Sequence, residues 1–402
     1  MFKNVREDDM KIENHYEGFM SSQTFRNVMV VGYSDLLDAA SGGYAHRGGP
    51  VWQDFSSAGP ARFWRGNKAA DVLPEVPENL GAHPLRGDWV WLGPQVQHFG
   101  HAVADFSTRY LASRALSNKK TRFVLGDRLT SHSQPINSVV RQLLDWFDIP
   151  QDRVEVVTAA KEFRHLRVSP QAEQLNGLPP SREYLEALLR IQEQKFLDAQ
   201  GRFGSRVYVS RSQMGVHLAG ERYIDNIFQR AGFHVVHPQK LTLFEQLQIY
   251  MHAEHLVFAS GSAIHGLELL GYLGCRVSVI TRMPGSRIGE TPLISRVAEL
   301  TYHEGAEQIL FEPRLNGGES PEAGIGLPSP KNLKETLKRI IGSSLEEFEE
   351  RELVSQMRVD LLNWVKRQKN PGSFHTSEYK AMLASSLTKS PEILKYLPKD
   401  AI

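Results

Sequence analysis

The feature of the sequence that most limits the fold is a repeated alternation of short apolar, β-branched runs with longer segments of helical periodicity. The runs predict strands at Val28–Val31, Trp89–Leu92, Arg122–Leu125, Val154–Val157, Arg206–Val209, His234–Val236, Leu256–Ala259, Val277–Ile280 and Ile309–Phe311. The helical periods predict helices at His101–Ala115, Ser138–Phe147, Ser181–Asp198, Glu221–Ala231, Leu243–Ala253 and Ala263–Tyr272. Strands that alternate with helices of about ten to fifteen residues indicate parallel α/β sheets.

The length and one sequence break suggest the domain organisation. A chain of 402 residues has room for two or three domains of roughly 150 residues each. The segment Leu175–Pro180 contains Asn, Gly and two prolines, which interrupt regular structure. We therefore predict an N-terminal α/β domain at residues 1–180, a Rossmann-like C-terminal domain at 181–330 and a helical tail at 331–402.

Charge and cysteine content exclude several classes of protein. The 47 Lys and Arg residues against 46 Asp and Glu give a net charge of +1, which offers no electrostatic reason to expect nucleic acid as the main partner. The single cysteine, Cys275, excludes an internal disulfide and a multi-cysteine zinc site. Residues 1–16 lack the apolar core of a signal peptide, and no uninterrupted apolar run approaches the length of a membrane span. We expect a cytoplasmic protein, with any membrane association peripheral.

The segment after the predicted strand Trp89–Leu92 could supply a general base. His101, Asp105 and Arg109 follow each other at intervals of four residues, which places them along one stripe of a helix. An imidazole beside a carboxylate can activate a hydroxyl group. The alternative, which the spacing by itself favours, is a surface ion pair between Asp105 and Arg109 with His101 in the first turn.

Two further strand ends could bind phosphate. Arg211 follows the strand Arg206–Val209, and arginine at the carboxyl end of a strand is a good phosphate partner. A second strand runs into Ser260-Gly261-Ser262-Ala263 and then a helix, so that free backbone N–H groups point at an anion, with His265 in the first turn. The alternatives are an ordinary exposed arginine and an ordinary capped turn. Glu221 could equally serve only the dipole of its helix.

Absent motifs narrow the chemistry. The sequence contains no Asp-x-Asp, so the usual divalent-cation clamp for a diphosphate is missing. It contains no G-x-G-x-x-G, H-E-x-x-H or G-x-S-x-G, which argues against a Rossmann-type dehydrogenase or epimerase, a metalloprotease and an α/β-hydrolase.

Taken in chain order, these segments resemble glycosyltransferase family 61, particularly its bacterial branch associated with capsular and other surface polysaccharides. The resemblance extends over roughly residues 90 to 285. The family's H-x-x-x-D-x-x-x-R helix is matched by His101, Asp105 and Arg109, and its strand ending in Ser-Arg by Ser210 and Arg211. The remaining motifs are matched by Gly220-Glu221, Glu245-Gln246 and Ser260–Ala263. Gly220 replaces the usual Asn, and Ser260 stands where many members carry His.

The resemblance implies a GT-B fold, in which two Rossmann-like domains face each other across a cleft. It implies an inverting, metal-independent transfer of a hexosyl or pentosyl group from a nucleotide sugar to a carbohydrate or glycolipid hydroxyl, with no cofactor. Asp105, partnered by His101 or replaced by it, would be the base, and His98 and Arg109 would contact the acceptor. The donor would be bound by the residues Arg211, Glu221, Ser260, Gly261, Ser262, Ala263 and His265.

The sequence is also compatible with one other function and with several kinds of association. The same fold could serve a non-catalytic protein that binds sugar nucleotides or polysaccharide. Association with other biosynthetic proteins, with the inner face of the membrane or with a second copy of the chain is compatible with the sequence, which does not decide among them.

Overall fold

The structure is a computed structural model with side chains. It describes residues 13–15, 18–36, 46–52, 54–55, 59–66, 68–76, 84–132, 134–197, 204–313, 319–342, 345, 347–369 and 381. The chain divides into two compact units. The first consists of Met1–Asp198, His265–Tyr272 and Thr291–Arg296, and the second of Ala199–Ile264, Leu273–Glu290 and Val297–Ile402. Two short segments from late in the sequence therefore belong to the first unit.

The first unit is built on a mixed sheet. Its strands are β1 (Glu13–His15), β2 (Ser22–Asp35), β3 (His46–Val51), β4 (Trp64–Arg65), β5 (Lys68–Ala69), β6 (Asp71–Val72), β7 (Trp89–Pro94), β8 (Arg122–Gly126), β9 (Val154–Val157) and β10 (Lys161–Val168). The sheet order is β6-β3-β2-β10-β7-β8-β9, with β1 on β2, while β4 and β5 form a separate hairpin. Strands β10, β7, β8 and β9 are parallel, but β2 is antiparallel to β1, β3 and β10. The predicted parallel sheet is thus present in this unit as four strands, and antiparallel strands that the sequence pattern did not indicate extend it.

Strand β7, an interior strand of the first sheet, precedes the segment that carries the candidate base. All six residues of β7 are buried, as expected for a strand with neighbours on both sides and covered faces. The Trp89 and Phe163 rings pack edge to face with their centroids 5.2 Å apart. The rigid, buried β7 fixes where the following helical segment begins.

The second unit contains a five-stranded parallel sheet. Its strands are β11 (Arg206–Val209), β12 (His234–Val236), β13 (His255–Ala259), β14 (Leu273–Thr281) and β15 (Val297–Glu304), and β16 (Gln308–Pro313) and β17 (Glu319–Leu327) form a separate hairpin. The sheet order is β12-β11-β13-β14-β15, and every neighbouring pair is parallel. Counted within this sheet the order is 2-1-3-4-5, a doubly wound topology whose order reverses between β11 and β13. Each strand predicted from the sequence lies within an observed strand.

The helices agree with the predicted segments in most cases. They are α1 (Phe99–His101), α2 (Tyr110–Ala115), α3 (Ser138–Trp146), α4 (Arg182–Lys195), α5 (Glu221–Arg230), α6 (Leu243–His252), α7 (Glu290–Leu293), α8 (Pro330–Ile341) and α9 (Glu350–Lys369). Side-chain caps begin three of them, with Asn137, Ser181 and Thr242 accepting from backbone N–H groups. Such caps satisfy donors that the first helical turn leaves unpaired.

Two predicted helices are irregular. The segment predicted as one α-helix over His101–Ala115 is interrupted by a π-helical turn at Ala102–Phe106 and a 3₁₀ turn at Ser107–Arg109. The segment predicted over Ala263–Tyr272 is a 3₁₀ helix, Ser262–Leu269. π turns and long 3₁₀ stretches depart from the period of 3.6 residues, so the pattern of apolar residues could not reveal them.

The C-terminal segment is helical where it is described. Helix α9 packs its buried residues Leu353, Met357, Leu361 and Trp364 into the core of the second unit. That core also contains Phe228 of α5, which stacks on Tyr208 with ring centroids 4.1 Å apart. Within the described ranges, we find no helix with the length and apolar character needed to span a bilayer.

Candidate functional site

The first cluster of chemically active side chains lies at the irregular helical segment after β7. His101 ends α1, and the π turn that follows carries Asp105. The Nδ1 atom of His101 lies 2.7 Å from Oδ2 of Asp105. A π turn widens the helix locally and is often found at functional sites. The stripe predicted from the spacing therefore holds for His101 and Asp105, although the helix around them is not regular.

Arg65 joins this pair from a distant part of the chain. Its Nε atom donates to Oδ1 of Asp105 at 3.1 Å, and its Nη2 atom pairs with Oδ2. The same Nη2 lies 2.9 Å from Nδ1 of His101. The three side chains are largely buried, with exposed fractions of 17% for Arg65, 10% for Asp105 and 21% for His101. The alternative of a surface ion pair between Asp105 and Arg109 is therefore wrong.

Electrostatics keep the Asp105 carboxyl ionised. Burial raises the pKa of Asp105, but the hydrogen bond from His101 and the charge of Arg65 outweigh burial and hold that pKa below its usual value. His46 lies in the same electrostatic environment and is buried. Burial lowers the pKa of His46 to about 4, so its imidazole is neutral at neutral pH.

Gln171 fixes the geometry that brings Arg65 to Asp105. Its Oε1 accepts from the backbone N–H of Trp64 at 2.7 Å, and its Nε2 donates to the backbone oxygen of Asp105 at 3.0 Å. One buried amide side chain thus ties the residue before Arg65 to the turn that carries Asp105. Neither Arg65 nor Gln171 was predicted, since each is about 40 or more positions from Asp105 in a segment with no motif.

Arg109 is placed in the core and contacts backbone oxygens. Its side chain has no exposed surface. The guanidinium donates to the carbonyl oxygens of Ala61 and Arg62 at 3.3 and 3.2 Å and lies 3.8 Å from the centroid of the Phe63 ring. Burial lowers the pKa of Arg109 to about 10, which still leaves it protonated. These contacts hold the chain just before Arg65, and the predicted contact with an acceptor stays a prediction.

His98 lies at the exposed edge of the same cluster. It is the N-cap residue of α1, and its ring centroid lies 4.8 Å from that of His101. Its side chain is exposed. The structure thus brings His98, His101 and Asp105 together, while Arg109 supports the cluster from the core.

The second cluster lies at the carboxyl edge of the parallel sheet, where the strand order reverses. Ser210 and Arg211 follow β11, and Ser260 to Ala263 follow the adjacent strand β13. In open α/β sheets the crevice at such a reversal is the usual ligand site. A Cβ atom on residue 261 would collide with the Arg211 guanidinium. Glycine at 261 is therefore required for Arg211 to reach its observed position.

Glu221 closes the loop that carries Arg211. Its Oε1 accepts from the backbone N–H of Arg211 at 2.5 Å, and its Oε2 accepts from that of Leu218 at 3.1 Å. The Arg211 side chain donates through Nε and Nη2 to the Val216 oxygen at 3.2 and 3.0 Å. Burial raises the pKa of Glu221, and it lowers the pKa of Arg211. Glu221 therefore does more than complement a helix dipole, because it shapes the Arg211 loop.

A small pocket joins parts of this second cluster. Its lining residues are Tyr208, Leu218, Glu221, Ala259, Ser260, Ile280 and Arg282. Arg282 was not predicted. It follows Thr281 at the end of β14, just as Arg211 follows Ser210 at the end of β11, and this repeated hydroxyl–arginine pattern could have identified it.

One of the predicted donor residues, His265, has a partner outside the second cluster. His265 is buried, and its Nδ1 lies 2.6 Å from Oε1 of Glu268. It belongs to the segment His265–Tyr272 of the first unit and does not line the pocket. Ser262 and Ala263 open the 3₁₀ helix that follows the β13 strand.

The described residues contain no group of three or more His, Cys, Asp or Glu side chains arranged to hold a metal ion. Metal independence and the absence of a cofactor stay predictions.

Comparisons with known proteins bear on the segment that carries the predicted site. A search of curated proteins found no match. All the residues predicted for the site lie between positions 98 and 265, and the segment that contains them matches a family. Residues 93–269, less than half of the chain, match the model of the family described as Glycosyltransferase 61, and this match supports a glycosyltransferase.

Proposed function

We propose that the protein is an inverting, metal-independent glycosyltransferase that moves a sugar from a nucleotide-sugar donor to a hydroxyl group of a carbohydrate or glycolipid. The observation that carries this proposal is the buried cluster of His101, Asp105 and Arg65, two of whose members lie in the family-matched segment. Inverting transfer requires one base on the face of the sugar opposite the leaving group, and the cluster supplies an imidazole held in one orientation.

His101 is the base in this proposal, and Asp105 orients it. Both carboxylate oxygens of Asp105 are engaged by Arg65, and Oδ2 also contacts His101. A carboxylate whose pKa is held low is a weak proton acceptor. We assign the Nδ1 proton of His101 to its bond with the anionic Asp105, so Nε2 takes the proton of the acceptor hydroxyl.

The proposed transfer is a single displacement, in which one bond forms at the anomeric carbon as another breaks. The acceptor oxygen forms a bond to the anomeric carbon as His101 removes its proton. The bond from that carbon to the diphosphate oxygen breaks, and the nucleoside diphosphate leaves with the electron pair. The leaving group is neutralised by Arg211 and by the backbone N–H groups after β13, with Arg282 adding positive charge at the same edge of the sheet.

In a GT-B organisation, each of the two units would bind one of the two substrates. The first unit would bind the acceptor, with His98 beside His101 as an exposed contact, and the second would bind the donor. We further propose a role in the synthesis of polysaccharide or glycoconjugate in the bacterial cytoplasm, with peripheral association at the inner membrane face. A non-catalytic protein that binds sugar nucleotides on the same fold is the competing proposal.

The experiment is a thermal-shift screen with UDP, GDP, ADP, dTDP and CMP and their common sugar conjugates, followed by a transfer assay with the donor that binds. A ligand that binds only the native state raises the melting temperature. We expect Arg211→Ala to abolish the shift and Arg222→Ala, an exposed control on α5, to retain it.

The transfer assay separates the enzyme from the binding protein. We expect His101→Ala to lower turnover by roughly 10²- to 10⁴-fold without changing the thermal shift, and the exposed control His132→Ala to behave as wild type. Donor binding without transfer or donor hydrolysis in the wild type would support the non-catalytic alternative. Full turnover in His101→Ala would show that another group is the base.

A further inference from the structure

Helix α9 holds one end of the loop that carries Arg211. The helix, Glu350–Lys369, lies outside the family-matched segment 93–269. We call residues 211–220 the donor loop. We propose that Asp360 of α9 is a positioning residue that holds the donor loop in the shape that binds the nucleotide. This inference rests on the proposed function for its ligand, and on contacts within the second unit for its geometry.

Asp360 bonds directly to the end of the donor loop. Its Oδ2 accepts from the backbone N–H of Gly220 at 2.8 Å and lies 3.6 Å from Nε2 of His217. Its Oδ1 accepts from Gln356, one turn earlier on the helix, at 2.9 Å. Asp360 and His217 are both buried. A buried carboxylate needs such partners to offset its loss of hydration, so the bond to Gly220 is strongly maintained.

Apolar packing by α9 reinforces this bond. Gly220 has a φ of +85°, a conformation that favours glycine. A Cβ atom there would meet Leu353 at 2.5 Å and Met357 at 3.1 Å, so α9 lies directly against the backbone. A Cβ atom on Gly215, inside the donor loop, would likewise lie 2.6 Å from the Nη1 atom of Arg367 of the same helix. The helix therefore contacts the loop at its middle and at its end.

Two buried carboxylates, those of Glu221 and Asp360, hold the donor loop. Glu221 bonds to the N–H groups of Arg211 and Leu218, while Asp360 bonds to the N–H of Gly220, the residue adjacent to Glu221. Release of Gly220 would free the backbone that sets the position of the Glu221 carboxylate. Because Glu221 accepts from the Arg211 backbone, a change at Asp360 passes through two bonds to Arg211.

The experiment compares wild type with Asp360→Asn and with the exposed control Glu352→Gln on the same helix. The probes are UDP, GDP, ADP, dTDP and CMP, each titrated alone. Two structural readouts need no ligand: the pKa of His217 by NMR and the hydrogen-exchange rate of the Gly220 amide. We expect Asp360→Asn to lower the pKa of His217, to speed exchange at Gly220 and to weaken binding of the nucleotide about fivefold, and Glu352→Gln to do none of these.

The possible results separate the two proposals. If the wild type binds none of the nucleotides, the donor site of the proposed function fails. If the wild type binds a nucleotide and Asp360→Asn binds it equally well, the proposed function survives and the positioning role of Asp360 is overturned. Should Asp360→Asn fold poorly, Gln356→Ala, which removes only the bond that orients Oδ1, is expected to weaken nucleotide binding by a smaller factor, and unchanged binding there also overturns the inference.

Discussion

Arg65 donates two hydrogen bonds to the carboxylate of Asp105 from a two-residue strand forty positions earlier in the sequence. The two bonds hold the carboxylate in the plane of the guanidinium, and the same guanidinium lies beside the His101 ring. A planar, bidentate contact of this kind cannot be reproduced by a lysine, whose ammonium group is a point charge.

We therefore expect Arg65→Lys and Arg65→Ala to lower the turnover of the transfer reaction roughly 10²-fold or more, because the base loses its orientation. Donor affinity should be unchanged. The pKa of Asp105 should rise once the charge of Arg65 is lost, and an NMR titration of the Asp105 carboxyl group in Arg65→Ala should detect that rise. The exposed Arg141→Ala is the control. Undiminished turnover or an unchanged pKa of Asp105 in Arg65→Ala would contradict the assignment of Arg65.

Gly261 should be intolerant of any side chain. A Cβ atom there collides with the Arg211 guanidinium, so Gly261→Ala should displace Arg211 and abolish the nucleotide-induced thermal shift. Gly274, which has nothing within 4 Å of an added Cβ, provides the control Gly274→Ala. The collision should also lower the free energy of unfolding, as measured with urea. Combining Gly261→Ala with Arg211→Ala should restore that free energy but should not restore nucleotide binding in the thermal-shift assay. Normal nucleotide binding by Gly261→Ala would contradict this account.

His46 should make the first unit sensitive to acid. Burial lowers the pKa of His46 to about 4, from 6.5 in an exposed histidine. Below about pH 6.5 the unfolded chain binds a proton at this position that the folded chain does not, so the free energy of unfolding falls as the pH falls. The full effect is about 3 kcal/mol, reached near pH 4. Urea unfolding between pH 7 and 4 should show a steeper decline for wild type than for His46→Gln; equal slopes would rule out this histidine as a source.

Glu173 and Arg296 form a buried ion pair whose partners should be strongly coupled. Arg296 donates to both Glu173 oxygens at 2.7 and 2.8 Å, and the exposed fraction of each side chain is at most 1%. Removing one partner leaves a buried charge without compensation, so Glu173→Gln or Arg296→Met should each cost about 3–5 kcal/mol of unfolding free energy. The double variant should be less destabilised than the sum of the two, as measured by urea unfolding. Simple additivity would mean that the pair is not coupled.

The sequence allowed the parallel sheet of the second unit to be predicted more fully than the sheet of the first. Every strand of the second sheet except β15 was predicted, because those strands are short apolar runs. In the first sheet β10 was missed, since Lys161–Val168 alternates charged residues with only three buried positions, Phe163, Leu166 and Val168. Its antiparallel pairing with β2 depends on a partner more than a hundred residues away, which local pattern does not encode.

The residues of the candidate site also differ in whether the sequence could predict them. His101 and Asp105 could be paired from their spacing, because residues four apart meet on a helix. Arg65 and Asp360 could not be found, since each reaches its partner only through tertiary structure and neither lies in a motif. Arg109 fits the spacing of the stripe, but the π turn ahead of it turns its side chain into the core. The spacing of the three residues therefore predicted that they lie near one another in the chain's fold, but not the direction in which each side chain points.

The position of Arg296 also limits how this chain can be divided. The first unit takes in Thr291–Arg296, although the segment follows much of the second unit in the sequence. A fragment ending at Asp198 would contain Glu173 but not the guanidinium that neutralises it. Neither unit is therefore a contiguous module that recombination could exchange by a single crossover, and a hybrid protein would have to carry residues 265–272 and 291–296 along with its first 198.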